Sequence, residues 1–369
     1  MQRGAARWVA LAFALLLPLT GACTAAPTPS PPVAAPGAES RAQGAVDVIA
    51  STPAAAPTPG AMRFRVATIQ PPVVAAHLLP YWVGIDTGIF RQQGVAVELV
   101  TLQSDQVALT AAANGEVDVV LGTPSPTLLA VLSAGVDAVI LGGTHNAFDQ
   151  HLLAAADVHT PADLRGKSVV ISQPGTLNDF QTREALQRIG LDADRDLAGW
   201  WTGANQAERV QNLRIGNGEA AVVPPPLSVT LAKEGFTDFG DLTEGAPWPG
   251  VAIVVARRVY LARYDYVQRF LKGLLAGIQK TKADPELAKR TIAQYTKIDD
   301  PDALEEAYTV YGARLLERVP YLSEEGLQRA LDFAVEKRPV ARNLKASGLL
   351  DQTVLQRLEG TGYVNELYR

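Results

Sequence analysis

The 369-residue sequence predicts an α/β protein: similar modules of mostly parallel sheet flanked by helices, followed by extra C-terminal helices. Three observations carry this. From Met62 onward, short apolar runs alternate with stretches of helical spacing. Strands separated by helices of that length imply a mostly parallel sheet covered on both faces. The run over Ala108–Leu121 (helix, Asn-Gly-Glu, Val-Asp-Val-Val-Leu) is echoed over Glu208–Val223 (helix, Gly-Asn-Gly-Glu, Ala-Ala-Val-Val). Two modules laid end to end explain the echo, and so does ordinary βα repetition within one larger sheet. After Pro249 the composition changes to a train of amphipathic helices.

The elements follow in order. Phe64–Ile69 is a β-rich run, Ala75–Phe90 has helical spacing and Gly94 closes that unit. Val95–Leu102 alternates as a strand, Asp105–Asn114 is helical, and Val117–Leu121 is a buried strand. Leu128–Ser133 opens the next helix and Ala138–Gly142 the next strand. The second cycle has strands at Val169–Ser172, Leu197–Trp201 and Ala220–Val223, with helices at Thr176–Ile189 and Ala204–Ile215. Val251–Ala256 is strand-like, and helices are expected over Arg263–Thr281, Glu286–Thr296, Pro301–Leu316 and Ser323–Val335. Ser323 with Glu324 and Glu325 forms a cap with acidic first-turn residues, although Gly326 breaks the strict capping box.

The N-terminus has a different logic. Arg3 and Arg7 precede the almost wholly apolar Trp8–Leu19, and Gly21 and Ala22 precede Cys23, the layout of an export signal. Twelve apolar positions are too few for a relaxed membrane span. Thr-Gly-Ala-Cys resembles the end of a bacterial lipoprotein signal, with Thr20 where that pattern most often has Leu. The resemblance implies cleavage after residue 22 and acylation of Cys23, the single cysteine. Residues 23–61 then read as an anchor and a disordered tether, since Thr24–Ala61 holds 8 Pro and 12 Ala in 38 positions.

Composition narrows the function classes. With 33 basic and 38 acidic residues, a net charge of −5 and no dense basic run, a nucleic-acid surface is not expected. One Cys excludes an internal disulfide framework and thiolate-rich metal sites. His77, His145, His151 and His159 have no metal-ligand spacing, and no Gly-x-Ser-x-Gly elbow occurs. Gly84 and Gly88 do not follow a strand in the dinucleotide pattern. No cofactor, metal or catalytic step is therefore expected.

The stretch YWVGIDTGIFRQQGVAVELV at Tyr81–Val100 resembles the opening of solute-binding proteins of ABC importers, of the nitrate/sulfonate/taurine and thiamin-pyrimidine-precursor class. NGEVDVVLGTPSP at Asn114–Pro126, HTPADLRGKSVVISQPGT at His159–Thr176 and RYDYVQRFLKGLLAGI at Arg263–Ile278 follow in that family's order. The resemblance spans roughly residues 62–334. It implies a two-lobed periplasmic-binding-protein-like fold (type II), with solute held between lobes joined by two crossing strands. Residues 62–155 and 250–369 would form the first lobe with its C-terminal helices, and 156–249 the second, with crossings near Ala155–Val158 and Ala246–Gly250. It also implies an extracytoplasmic, lipid-anchored monomer that delivers a small organic solute or oxoanion to a permease and its ATPase.

In open α/β sheets, ligands meet loops at the carboxyl ends of strands, where helix N-termini offer N–H donors. The candidate solute contacts are Gln70, Gln103, Thr123, Ser125, His145 and Asn146 in the first lobe, with Gln173, Gly175, Thr176, Asn178, Thr202 and Asn205 in the second. Gly175 permits close backbone approach, and Thr176 can either cap a helix or donate its hydroxyl. His77 is the nearest positive-type side chain besides His145. Tyr81 and Trp248 are candidate flat walls, while Trp82 and Trp200 read as core. Lys and Arg are sparse in these loops and Asp105, Asp149 and Asp179 lie near them, which leans toward a neutral or zwitterionic solute. Two other readings stand beside transport: an enzyme of the pyrimidine-precursor or menaquinone-pathway kind on the same fold, and a membrane-tethered ligand sensor.

Overall fold

The computed structural model describes residues 61–69, 72–203, 205–245, 247–337 and 342–369. The expected leader (1–22), Cys23 and nearly all of the 23–61 linker lie outside the described residues.

Among the described residues, ten strands form two sheets. The first contains β1 (Met62–Thr68), β2 (Val95–Thr101), β3 (Val119–Gly122), β4 (Ala138–Gly143) and β10 (Ala252–Ala256). The second contains β5 (His151–Ala154), β6 (Ser168–Ile171), β7 (Gly199–Thr202), β8 (Ala220–Val223) and β9 (Thr237–Asp241). Their orders, β2-β1-β3-β10-β4 and β7-β6-β8-β5-β9, follow one plan. In each sheet the strand in fourth place runs antiparallel to both neighbours: β10 against β3 and β4, and β5 against β8 and β9. Each of these strands is also the first to arrive from the other sheet. The echo in the sequence is therefore two separate sheets, the two-lobed type II architecture, and not one large sheet.

The first crossing lies earlier than expected. Because β5 pairs with β8 in the second sheet, residues 151–154 belong to the second lobe and the chain crosses at 144–150. The return is 242–251. The two crossings are hydrogen-bonded to each other as a ribbon: Leu242 N–H to Gln150 O at 2.8 Å, Trp248 N–H to Asn146 O at 3.2 Å, Gly250 N–H to His145 O at 2.8 Å and Thr144 N–H to Val251 O at 2.9 Å. Gly250 is needed there, since a Cβ would stand 2.5 Å from the His145 ring.

The first lobe is packed by aromatic side chains. Phe270, on helix Tyr264–Ala283, stacks on Phe64 (5.0 Å between centroids) and Phe90 (5.5 Å), and Tyr81 completes the group at 6.2 Å. Trp82 lies parallel to Tyr295 at 4.4 Å. Such pairs add about 1 kcal/mol each to the burial of their area. The helix that carries Phe270 can come this close because Gly273 faces the Phe90 ring and Gly277 faces the Pro80 carbonyl.

Three local expectations are revised. The helical stretch before β2 starts at Leu79 and breaks at Gly88, whose φ of 74° favours glycine. The expected helix Pro301–Leu316 is regular only over Pro301–Tyr308, and Thr309–Arg314 is a π-helical turn. Gly326 departs from the capping box for a tertiary reason: a Cβ there would sit 3.3 Å from the backbone of Pro247 and Trp248. Ser323 still caps the helix, accepting the Gly326 N–H at 3.0 Å.

Candidate functional site

A cavity of about 460 Å³ opens between the carboxyl ends of the two sheets. Its walls come from the loops after β3 and β6, the helix after β7, the Pro224 turn after β8 and both crossings. This is where α/β sheets place ligands, because strand ends and helix N-termini converge.

Three lining residues are helix caps. Ser125 accepts the Leu128 N–H at 3.1 Å, Thr176 the Asp179 N–H at 3.3 Å, and Asn205 the Glu208 N–H at 2.9 Å. Thr176 also donates to Gln173 O at 2.6 Å, so its hydroxyl is spent on the loop. Thr123, also on the wall, has no side-chain partner among the described residues. Thr176→Ala should therefore lower apo-protein stability by about 1 kcal/mol, while Thr123→Ala leaves the melting temperature unchanged. Differential scanning calorimetry of the pair checks this; equal losses would make Thr123 structural as well.

The polar groups of the cavity are unevenly satisfied. Asp105 heads the helix Asp105–Asn114 and is buried. Ser125 Oγ donates to its Oδ2 at 3.0 Å, while Oδ1 has no partner. Burial raises its pKa to about 6, against the opposing hydrogen bond from Ser125. Opposite it, in the second lobe, is Arg209. One Nη donates to Gln206 Oε1 at 2.6 Å, but among the described residues the buried Nε has no partner and no carboxylate pairs with the guanidinium. Burial lowers its pKa to about 10, which leaves it charged at neutral pH. Gln206 Nε2 and Gln150 Oε1 are likewise buried and unsatisfied.

The imidazoles carry no charge there at neutral pH. Burial pulls His77 down to about 4, the Asp149 carboxylate opposing and His145 adding to the fall. Burial lowers His145 too, again against Asp149. Asp149 is held by Tyr311 OH at 2.8 Å and Gln150 Nε2 at 2.8 Å. Among the lining residues, Arg209 is thus the permanent cation.

Of the sequence-derived candidates, His77, Thr123, Ser125, His145, Thr176, Asn178, Asn205 and Trp248 line the cavity. Asn178 accepts the Ser172 N–H at 2.9 Å through Oδ1. Gln70 lies outside the described residues. The others are elsewhere. Tyr81 is fully buried in the first-lobe core. Asn146 ties down the C-terminal segment, donating to Tyr321 O at 2.8 Å and accepting from Ser323 N–H at 2.6 Å. Gln173 is exposed, and the Gly175 N–H is taken by Asp179 at 2.7 Å. Gln103 and Thr202, just after β2 and at the end of β7, are exposed; the cavity takes its residues from slightly further along, at Asp105 and at Asn205. Trp248 is no open wall: it is 1% exposed, stacked on Phe148 at 5.1 Å and Phe180 at 4.6 Å.

Sequence reasoning missed Arg209 because it searched strand-end loops, and Arg209 sits one turn into the helix Gln206–Arg214. Side chains on a helix lean toward its N-terminus, so a long residue at that position reaches back into the cleft.

The family model for the periplasmic phosphonate substrate-binding protein of ABC transporters matches residues 82–303. A search of curated protein sequences gives no match. Among solved structures, the fold is similar to the aliphatic sulphonate binding protein SsuA from Escherichia coli (TM-score 0.63, 17% identity, 80% of this chain and 99% of that one). It is also similar to the alkanesulfonate-binding protein SsuA from Xanthomonas axonopodis pv. citri, bound to MOPS (0.62, 17%, 78% and 98%). A third likeness is to the nitrate-binding protein NrtA from Synechocystis PCC 6803 (0.58, 12%, 82% and 89%).

Proposed function

This chain belongs to the periplasmic phosphonate-type substrate-binding proteins of ABC transporters, and we propose that its cleft captures a bipolar organic solute for import. One end of the solute carries an anionic or acceptor-rich group for Arg209 and Gln206. The other carries an amine or another N–H donor for Asp105. The observation that supports this most is that Asp105 and Arg209 line one cavity from opposite lobes, each with a buried polar atom that has no partner among the described residues. A buried charge without a partner is costly, and a ligand that supplies both partners removes both penalties at once. A solute bridging the lobes also favours their approach, which a solute held by one lobe cannot do.

The cavity of about 460 Å³ is generous for nitrate and suits a molecule with a ring or a chain. The leader-like N-terminus supports an extracytoplasmic chain anchored through acylated Cys23, handing its solute to a permease and its ATPase. The importer reading is preferred to the enzyme because the matched family binds and delivers, and because His77 and His145, whose pKa values desolvation lowers, serve poorly as bases.

A thermal-shift screen of nitrate, alkylsulfonates, alkylphosphonates, their ω-amino derivatives and aminopyrimidines tests the reading. Stabilisation by an ω-amino acid of this kind supports it; stabilisation by nitrate alone overturns it. The pH dependence has a definite sign. In the empty cleft Asp105 protonates at about 6, and a bound cation lowers that value, so binding releases a proton below it. Affinity for an amine-bearing solute should be flat above about pH 7 and fall up to about tenfold per unit below about 6. Calorimetric titrations across that range check it.

A further inference from the structure

The lobes touch beside the crossings through two surfaces of opposite chemistry. One is apolar: Phe148 and Trp248 from the crossings pack with Phe180 of the second lobe and Phe333 of a first-lobe helix, with Phe180 to Phe333 at 4.5 Å. The other is polar and is made by a single segment, residues 300–314. Its inner face is fixed to the first lobe, where Ala307, Val310 and Tyr311 pack with Leu79, Val83 and Ile292. Among the described residues, none from the second lobe joins that apolar group.

The contacts this segment makes with the second lobe and the crossings are mainly charged or hydrogen-bonding; beside them the Tyr311 ring lies 6.4 Å from the His145 ring of the first crossing. Lys233 Nζ lies 2.6 Å from Asp300 and 2.6 Å from Asp302. Arg314 pairs with Asp241, the last residue of β9, at 2.9 Å. Tyr311 OH donates to Asp149 of the first crossing at 2.8 Å, and Glu306 stands 3.8 Å from His151. Two of these contacts come from the π-helical turn, which carries both Tyr311, bonded to the first crossing, and Arg314, paired with the end of β9. Asp149 also lines the cavity, so the segment reaches the wall of the site.

We propose that residues 300–314 form a polar strap that holds the second lobe in register with the first, with the aromatic group as the fixed pivot. Apolar contacts separate only at the cost of exposing area to water. Half-exposed ion pairs exchange readily for water and ions, and salt screens them. The strap is therefore the side of the contact that yields, and ionic strength sets how often it does. This inference does not depend on which solute the cleft takes.

Spin labels at the exposed positions Ile215 (57% exposed, second lobe) and Leu261 (71%, first lobe) report the separation, in the full chain carrying Cys23→Ser so that no other thiol reacts. Without solute, the wild-type strap should give one short distance at about 0.05 M NaCl and a longer, broader distribution at about 1 M, where the screening length is about 3 Å. Lys233→Glu with Arg314→Glu should give the long distribution at both concentrations, with far-ultraviolet circular dichroism unchanged. Exchanging one pair, Arg314→Asp with Asp241→Arg, should restore the short distance at low salt. Distances unmoved by salt and by the double charge reversal would overturn the strap. So would loss of the short distance in the exchanged pair as complete as in Lys233→Glu with Arg314→Glu.

Discussion

Replacing Arg209 with Gln is expected to weaken solute capture on the order of 100-fold, with the melting temperature of the empty protein unchanged or raised. The loss follows from removing the one permanent cation of the cavity wall, where a charge-assisted hydrogen bond is sheltered from water. The stability term has the opposite sign because the empty protein holds a buried guanidinium nitrogen without a partner, and glutamine carries no charge to desolvate. Isothermal titration and scanning calorimetry on the same samples separate the two effects. A variant that loses stability and affinity together would make Arg209 a structural residue.

The second large effect concerns Trp248. Its ring packs with Phe148, Phe180 and Phe333 at the meeting of both crossings and both lobes. Truncation to Ala removes that contact and leaves a void, at a cost of about 3–5 kcal/mol. Trp248→Phe keeps the stack and should cost well under half as much. Chemical denaturation measures both. Because the ring joins the lobes, Trp248→Ala should also broaden the separation of Ile215 and Leu261 without any change in salt. An Ala variant as stable as wild type would show that the pivot lies elsewhere.

The fold was largely legible because most strands here are covered on both faces and so read as continuous apolar runs, such as Ala220–Val223 and Ala252–Ala256. The strands that escaped notice lack that signal. β9 is Thr-Asp-Phe-Gly-Asp on a sheet edge, and β5, though a short apolar run, follows β4 with no helix between them to mark it as a strand of the alternation. Missing β5 placed the first crossing too late.

The site was legible only as far as strand ends could be located. Which residue of a strand-end loop turns into the cleft is a tertiary property that periodicity does not carry: Asp105 and Asn205 line the cavity, Gln103, Gln173 and Thr202 do not. Thr123 and Thr176 follow inner strands and reach the cavity. Asp105 was noticed as a charge near the loops; that it lines the cavity and keeps one buried oxygen without a hydrogen-bond partner among the described residues is visible only in three dimensions. Arg209, on a helix, carried no loop signature.

Titration calorimetry with three molecules of one carbon skeleton tests the bipolar cleft most directly: an ω-aminoalkylphosphonate, its N-acetylated anion and the amine without its phosphonate. Arg209 and Asp105 acting from opposite lobes predict binding of the first, with both truncated forms weaker by at least about tenfold. Equal binding of the N-acetylated anion would remove Asp105 from recognition, and binding of none of the three with tight binding of an uncharged solute would contradict the account as a whole.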